Sequence, residues 1–366
     1  MMEENGYNKR IRPDFNEDGE PVHVDVDFFL RSISNFNELN MEYSAQITLR
    51  QSWIDERLAF KDEIPNSPEY FALNDDSKLW IVDSFFRNEK NGHRHMIDKP
   101  NMLVRIYKDG KVVYSVRLTL VLSCPMYLQK YPMDVQECYI DMASYGYTKD
   151  DIIYHWNKET PVQFRDELTK SLPQFELEEY STTTCESFTK LGNFSCLRFE
   201  FSLKRKFGYY LLHLFIPSIM LVMVSWISFY LDPNAVPGRV TLGTVTLLTL
   251  IANSNGISSK LPPVSYIKAI DVWILFCVLF VFIALIEFAV TCFLYNRKPS
   301  YLPLEKISEG KVEEGNDIND EIPKKCSDRL LDRFSGMKAK EIDSTSRLLF
   351  PVCFLIFNVF FWSFYS

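Results

Sequence analysis

Histidine is scarce, five in 366 residues, and His23, His93, His95, His155 and His213 are scattered without Cys/His ligand spacing. No Ser/His/Asp set, phosphate-binding loop or metal cluster can be assembled, so the sequence offers an enzyme no chemistry and asks for no cofactor or metal. Basic charge is not in excess: 40 Lys and Arg stand against 48 Asp and Glu, a net charge of −8. With no dense block of like charge either, nucleic acid is excluded as a partner. No internal repeat is visible. The start, MMEENGYNKR, has no apolar segment of signal-peptide type, so a leader is expected to be missing from this sequence or to precede an incomplete start.

The most telling absence lies between Pro237 and Pro263, where PGRVTLGTVTLLTLIANSNGISSKLPP contains no Asp or Glu. The stretch is long enough to cross a bilayer, which takes about 20 helical residues. Yet it is laced with Thr, Ser and Asn, which a lipid-facing span has no use for. Read as a helix from Pro237, it places Thr241, Val245, Leu248, Ala252, Asn255 and Ser259 on one face. With Arg239 in the first turn and Lys260 near the far end, a water-filled path along that face would not repel anions. The other reading is a helix buried in a bundle whose Thr and Ser bond back to their own carbonyls. The stretch alone leaves both open.

Hydrophobic content divides the chain. The first two hundred residues have the pattern of a soluble protein; then Gly208–Leu231, the Pro237 stretch, Ile270–Leu294 and Leu348–Tyr365 each suit a membrane helix. Four spans place both termini on one side. Cys124, Cys138, Cys185 and Cys196 lie in the soluble half in two close pairs, whereas Cys277, Cys292 and Cys353 lie in the spans and Cys326 in a polar segment. Two extracellular disulfides and four thiols is the economical assignment, and it puts the N-terminus outside. Arg297 and Lys298 after the third span fit a cytoplasmic position, whereas Lys204, Arg205 and Lys206 before the first span do not.

Strand patterning fills residues 21–206. Val22, Val24, Val26 and Phe28 alternate in VHVDVDFF; MEYSAQITLRQSW, LWIVDSFF, MLVRIYKDGKVVYSVRLTLVLSC and CLRFEFSLKRKF follow, and Lys108-Asp109-Gly110-Lys111 signals a hairpin. An antiparallel β-sandwich of about ten strands is expected, followed by a four-helix transmembrane bundle. The expected divisions are 1–207, 208–294 for three spans with the pore helix at about 237–257, a cytoplasmic loop 295–347, and a last span 348–366.

CPMYLQKYPMDVQEC sets thirteen residues between Cys124 and Cys138 around a Tyr131-Pro132-Met133-Asp134 core. It resembles the signature loop of the Cys-loop receptors, the pentameric ligand-gated ion channels. The resemblance extends over almost the whole chain through VPGRVTLGTVTLLT, SKLPPVSYIKAIDVW and IDSTSRLLFP. It implies five subunits around a pore lined by the face named above, with Leu248 as the gate: five apolar side chains closing on a narrow path expel water and stop ions. Cation channels of the family carry Glu where this chain has Gly238, and anion channels read Pro-Ala-Arg where it has Pro237-Gly238-Arg239. Chloride selectivity is therefore implied, with helix N-termini and five Arg239 side chains aimed at the inner mouth.

The second cysteine pair resembles the ligand-capping loop of glycine receptors and of invertebrate glutamate-gated and histamine-gated chloride channels. Arg31 and Arg50 match arginines that hold the ligand's carboxylates in glutamate-gated chloride channels, with Ser115 assisting; on residue type alone they are two solvated arginines. Across the subunit boundary Phe85, Ser144, Tyr145 and Phe194 match positions that hold the ammonium group. Those channels have Tyr for Phe194 and Thr for Leu191, which loses a hydroxyl at each, and Asn193-Phe194-Ser195 is a glycosylation sequon. L-glutamate is the expected ligand; the alternatives are glycine, histamine or GABA, or a non-conducting accessory subunit. Asp134 is expected to pair with Arg205 and press on Pro262 and Pro263 to couple ligand to gate. Leu275 replaces a Gly that admits macrocyclic lactones in related channels, and insensitivity to them is expected.

Overall fold

The computed structural model describes residues 7–13, 19–60, 68–73, 75–165, 172–232, 235–296 and 339–365. The larger part of the expected 295–347 loop, with Cys326, lies outside them. The contacts divide the chain into two units, one of residues 1–207 with 260–265, the other of 208–259 with 266–366.

The first unit holds fourteen strands among the described residues. The alternation in the sequence sets their layering. Val22, Val24, Val26 and Phe28 of β1 (Val22–Asn37) are all 2% exposed or less, so the residues between them face outward. β2 (Glu42–Ile54) runs antiparallel between β1 and β9 (Lys111–Ser123), and its Ala45, Ile47 and Leu49 join the same core. β8 (Met102–Tyr107) and then β3 (Tyr70–Leu73) extend this sheet beyond β9, and β11 (Ile152–Trp156) extends it beyond β1. With β12 (Val162–Phe164) on β1 and β5 (Glu89–Arg94) on β9, it has eight strands. A second sheet sets four strands in the order β13 (Phe175–Thr189), β14 (Gly192–Arg205), β10 (Val135–Ser144) and β4 (Ser84–Phe86). The additional strands beyond the expected ten are short ones such as β6 (Met96–Ile97), β7 (Lys99–Pro100) and β12, too brief to show a period.

The Lys108–Lys111 turn joins β8 to β9, with the Gly110 N–H donating to the Tyr107 carbonyl at 3.0 Å. Gly110 sits at φ +83°, and a Cβ there would stand 2.6 Å from the Asp55 carbonyl oxygen, so the position needs glycine twice over. Both expected disulfides are formed, Cys124–Cys138 and Cys185–Cys196. The second lies directly across the antiparallel pair β13 and β14.

Among its described residues the second unit has four helices long and apolar enough to cross a membrane. The first, α1, runs Gly208–Tyr230, with a π segment at Leu211–Phe215 and a 3-10 end at Trp226–Tyr230. The others are α2 (Val236–Ser258), α3 (Ala269–Asn296) and α4 (Ala339–Tyr365). Helix α4 is described from Ala339, so the polar AKEIDSTSR segment runs as helix straight into the apolar span at Leu348, as its helical spacing suggests. Buried Trp273 pins α3 to α1 through its indole N–H, 2.8 Å from Ser218 Oγ.

Candidate functional site

The residues of α2 separate cleanly. Arg239, Gly243, Thr246 and Leu250 are buried. At 100° per residue they lie opposite the centre of the face formed by Thr241, Val245, Leu248, Ala252, Asn255 and Ser259, all of which are exposed in the single chain. Leu248 is 69% and Val245 55% exposed. Pro237 and Gly238 at the helix start are exposed too. On the opposite side a Cβ on Gly243 would run into Leu285 Cδ2, so the Leu285 side chain of α3 packs on the bare α2 backbone there.

The threonine hydroxyls are committed: Thr241 Oγ1 donates to the Pro237 carbonyl at 2.7 Å, Thr244 to Val240 at 2.8 Å and Thr249 to Val245 at 2.7 Å. Their donors therefore turn back along the helix, and back-bonding coexists with an exposed face.

Arg239 departs from expectation. Its side chain is fully buried and points away from that face, with Nη2 2.9 Å and Nη1 3.2 Å from the carboxylate oxygens of Asp343 on α4. A second bond runs from Nη2 to the Leu231 carbonyl. An exposed guanidinium at the helix mouth is thus replaced by a neutralised ion pair inside the bundle. Asp343 carries no sequence signal, since its partner is a hundred residues away.

In the first unit the two halves of the expected ligand set lie on different sheets. Arg50 of β2 stands directly opposite Ser115 of β9, and Thr48 opposite Arg117. Arg31 occupies a bulge in β1, where the register with β2 shifts between Leu30 and Ser32, and its Nε donates to Thr48 Oγ1 at 2.8 Å. Arg50 Nη1 reaches Asp27 at 3.1 Å and Gln163 at 3.4 Å. Partial burial, followed by the charges of Arg117, Arg165 and Arg50, lowers the pKa of Arg31. Burial raises the Asp27 carboxyl, and Arg50 opposes the shift. Arg50, Arg117 and Arg165 all lie near enough to Arg31 to act on its charge, with Asp27 beside Arg50, and this excess of guanidinium makes the face a place for an anion. The sequence gives no sign of Arg117 and Arg165, because only the strand register brings them to Arg31. No described residue offers the Ser115 hydroxyl a hydrogen bond.

On the four-stranded sheet, Phe85 of β4 lies opposite Ala143 of β10, and its ring meets that of Tyr145 edge-on at 5.4 Å. Tyr145 is 78% exposed. Ser144 and Phe194 are turned otherwise than expected. Ser144 is buried, its hydroxyl donating to Asp83 Oδ1 at 2.6 Å and accepting from the Tyr147 N–H at 3.0 Å, so it braces the turn and offers no free hydroxyl. Phe194 is 6% exposed, packed inward on β14, and cannot form an open aromatic wall. At the tip of the β13-β14 hairpin, Leu191 and Phe188 are almost wholly exposed, and Asn193 is exposed beside them.

Asp134 and Arg205 meet as a buried bidentate pair, Nε to Oδ1 2.7 Å and Nη2 to Oδ2 3.2 Å. Glu38 joins from β1's trailing turn to Arg205 Nη1, and the rings of Tyr131 and Phe175 lie 4.7 and 4.6 Å from the guanidinium carbon. Residues 260–265 group with this unit, Pro262 buried and Pro263 exposed. Leu275 is 56% exposed on α3.

Residues 1–207 match the model of the neurotransmitter-gated ion-channel ligand-binding domain, and residues 214–314 that of the neurotransmitter-gated ion-channel transmembrane region. A glutamate-gated chloride channel of Drosophila melanogaster is 39% identical over 406 aligned positions, covering 98% of this chain and 88% of that protein. The sandwich, the two disulfides, the four apolar helices and these matches agree: the chain is a multi-pass membrane protein of the neurotransmitter-gated ion-channel family.

Proposed function

We propose that this chain is a subunit of a pentameric chloride channel opened by extracellular L-glutamate. The observation that carries the ligand is the face shared by Arg31, Arg50, Ser115 and Arg117: a dicarboxylate needs two fixed cationic forks, and a monocarboxylate amino acid needs one. The similarity to the Drosophila glutamate-gated chloride channel supports that choice. In the assembly the arginine face of one subunit meets the Phe85–Tyr145 pair of its neighbour, whose ring faces receive the ammonium group.

The anion path runs along Thr241, Val245, Leu248, Ala252, Asn255 and Ser259, from Pro237 and Gly238 at the inner end. Selectivity rests on the absence of carboxylates and on five helix N-termini, each carrying roughly half a positive charge. Arg239 acts by anchoring the helix. The Leu248 ring closes the path by dewetting. Ligand binding shifts a two-state equilibrium toward a form in which that ring is wider. Arg205 of the Asp134–Arg205–Glu38 cluster stands three residues before the first span, and residues 260–265 follow the pore helix, so chain connectivity supports a role for both in transmission. The channel works in the plasma membrane at postsynaptic sites, with its N-terminus outside.

A second reading has one observation in its favour. With Phe194 buried and Leu191 carrying no hydroxyl, the capping hairpin is poorly equipped, and the chain would then supply the arginine face to a neighbour of another sequence in a heteromer. Expression of the chain alone in oocytes, followed by glutamate, glycine, GABA and histamine in turn, tests the proposal. A glutamate current supports the homomeric glutamate channel. A response to another agonist alone overturns the ligand, and silence that a partner subunit reverses favours the heteromer.

A further inference from the structure

We propose that His23 and His155 form a surface site for a divalent transition-metal ion, Zn²⁺ or Cu²⁺, at the edge of the eight-stranded sheet. The topology creates the site. β1 and β11 run parallel, with Val24 opposite Tyr154 and Asp25 opposite His155. Val22, Val24, Ile152 and Tyr154 fill the core, which sends His23, Asp25 and His155 to the outer face, where all three are exposed. There His23 Nδ1 lies 2.9 Å from His155 Nε2, with the rings stacked at 5.2 Å between centroids and 24° between planes.

That spacing allows one proton to be shared between the two nitrogens, and it is equally the bite of a chelate. With metal–nitrogen bonds of about 2.0–2.1 Å, two imidazoles span about 2.9 Å at a right angle and about 3.3 Å at the tetrahedral angle. The observed separation fits the first geometry as it stands and the second after an opening of a few tenths of an ångström. Imidazole nitrogen favours Cu²⁺ and Zn²⁺ over Mg²⁺ and Ca²⁺, which prefer oxygen. The two imidazoles are the protein ligands, and water completes the shell. Both rings bind as neutral imidazoles: the proton lying between them moves to the outer nitrogen of the ring that donated it, and no electron moves.

The competing clusters are weaker. Asp141, Cys185 and Cys196 bring three ligand atoms within 4.8 Å, but both sulfurs are tied in the disulfide. His95, beside His93, has Nε2 2.6 Å from Thr119 Oγ1 and 3.2 Å from Gln46, so its outer nitrogen is engaged. That pair serves as an internal control.

The test is a titration of the purified full-length protein in detergent with CuCl₂ and with ZnCl₂, read by calorimetry and, for Cu²⁺, by the nitrogen couplings in its paramagnetic resonance spectrum. The expected result is one tight site per chain with two-nitrogen coupling. His23→Ala or His155→Ala each weakens it at least tenfold and removes one nitrogen, and His93→Ala with His95→Ala leaves it unchanged. Thermal melting of each variant checks that these exposed substitutions leave the fold intact. Absence of the tight site in the unaltered protein overturns the proposal. So does its survival in the His23→Ala, His155→Ala double variant, or its loss with His93 and His95 alone.

Discussion

Removing Asp343 should destabilise the channel without touching its choice of ion. The Arg239 side chain is completely buried, its Nε already lacks a partner, and Asp343 takes both terminal nitrogens. Breaking a buried pair by deleting one partner costs about 3–5 kcal/mol, because the other charge stays behind without water. Glu287 of α3 is near enough to feel both charges and is expected to take over part of the pairing when Asp343 is lost. Asp343→Ala is therefore expected at the lower end, about 3 kcal/mol, a factor of about a hundred in the folded-to-unfolded ratio. Asp343→Ala with Glu287→Gln should reach the upper end. The assay is thermal inactivation of the detergent-solubilised channel, followed by size-exclusion chromatography. Arg239→Met with Asp343→Leu replaces the pair by apolar side chains of similar bulk and should recover most of the loss. Channels carrying that double change should still pass chloride, since a neutralised pair behind the helix adds little field to the path. An Asp343→Ala channel as stable as the unaltered one, or a double variant that conducts sodium, would refute the reasoning.

Three further outcomes follow from the geometry. A Cβ added at Gly238 would meet nothing within 4 Å, so Gly238→Ala should leave conductance and selectivity intact, whereas Gly238→Glu sets five carboxylates at the inner mouth and should reverse selectivity to cations, as biionic reversal potentials will show. Arg31→Ala and Arg50→Ala should each raise the half-maximal glutamate concentration by roughly 10- to 100-fold in oocyte recordings, the worth of a charge-assisted bond of about 1.5–3 kcal/mol. Asp134→Ala should impair gating by stranding the buried Arg205, with Glu38 as a remaining partner. An Asp134→Arg, Arg205→Asp exchange that recovers nothing would show that the pair does not carry the signal.

Much of the fold could be read from local pattern. Strict alternation through Val22–Phe28 marked a half-buried strand, Asp109-Gly110 marked a hairpin, and the hydroxyl and leucine positions of the Pro237 stretch fell on the exposed side of α2. What escaped depends on distant partners. Arg239 reads as a free cation until α4 brings Asp343 to it. Ser144 reads as a ligand hydroxyl until the β4-β10 pairing sets Asp83 against it. Arg117 joins Arg31 only through the β1-β2-β9 register, and His23 finds His155 only through a parallel crossover pairing. Such groupings have no period along the chain, so no window of sequence displays them.

The most direct measurement is the reversal potential of the glutamate-evoked current while external chloride and external sodium are replaced separately. A shift of about 59 mV for each tenfold change in chloride, with none when sodium is replaced, is the expected result. A potential that follows sodium and ignores chloride would contradict a carboxylate-free anion path along α2.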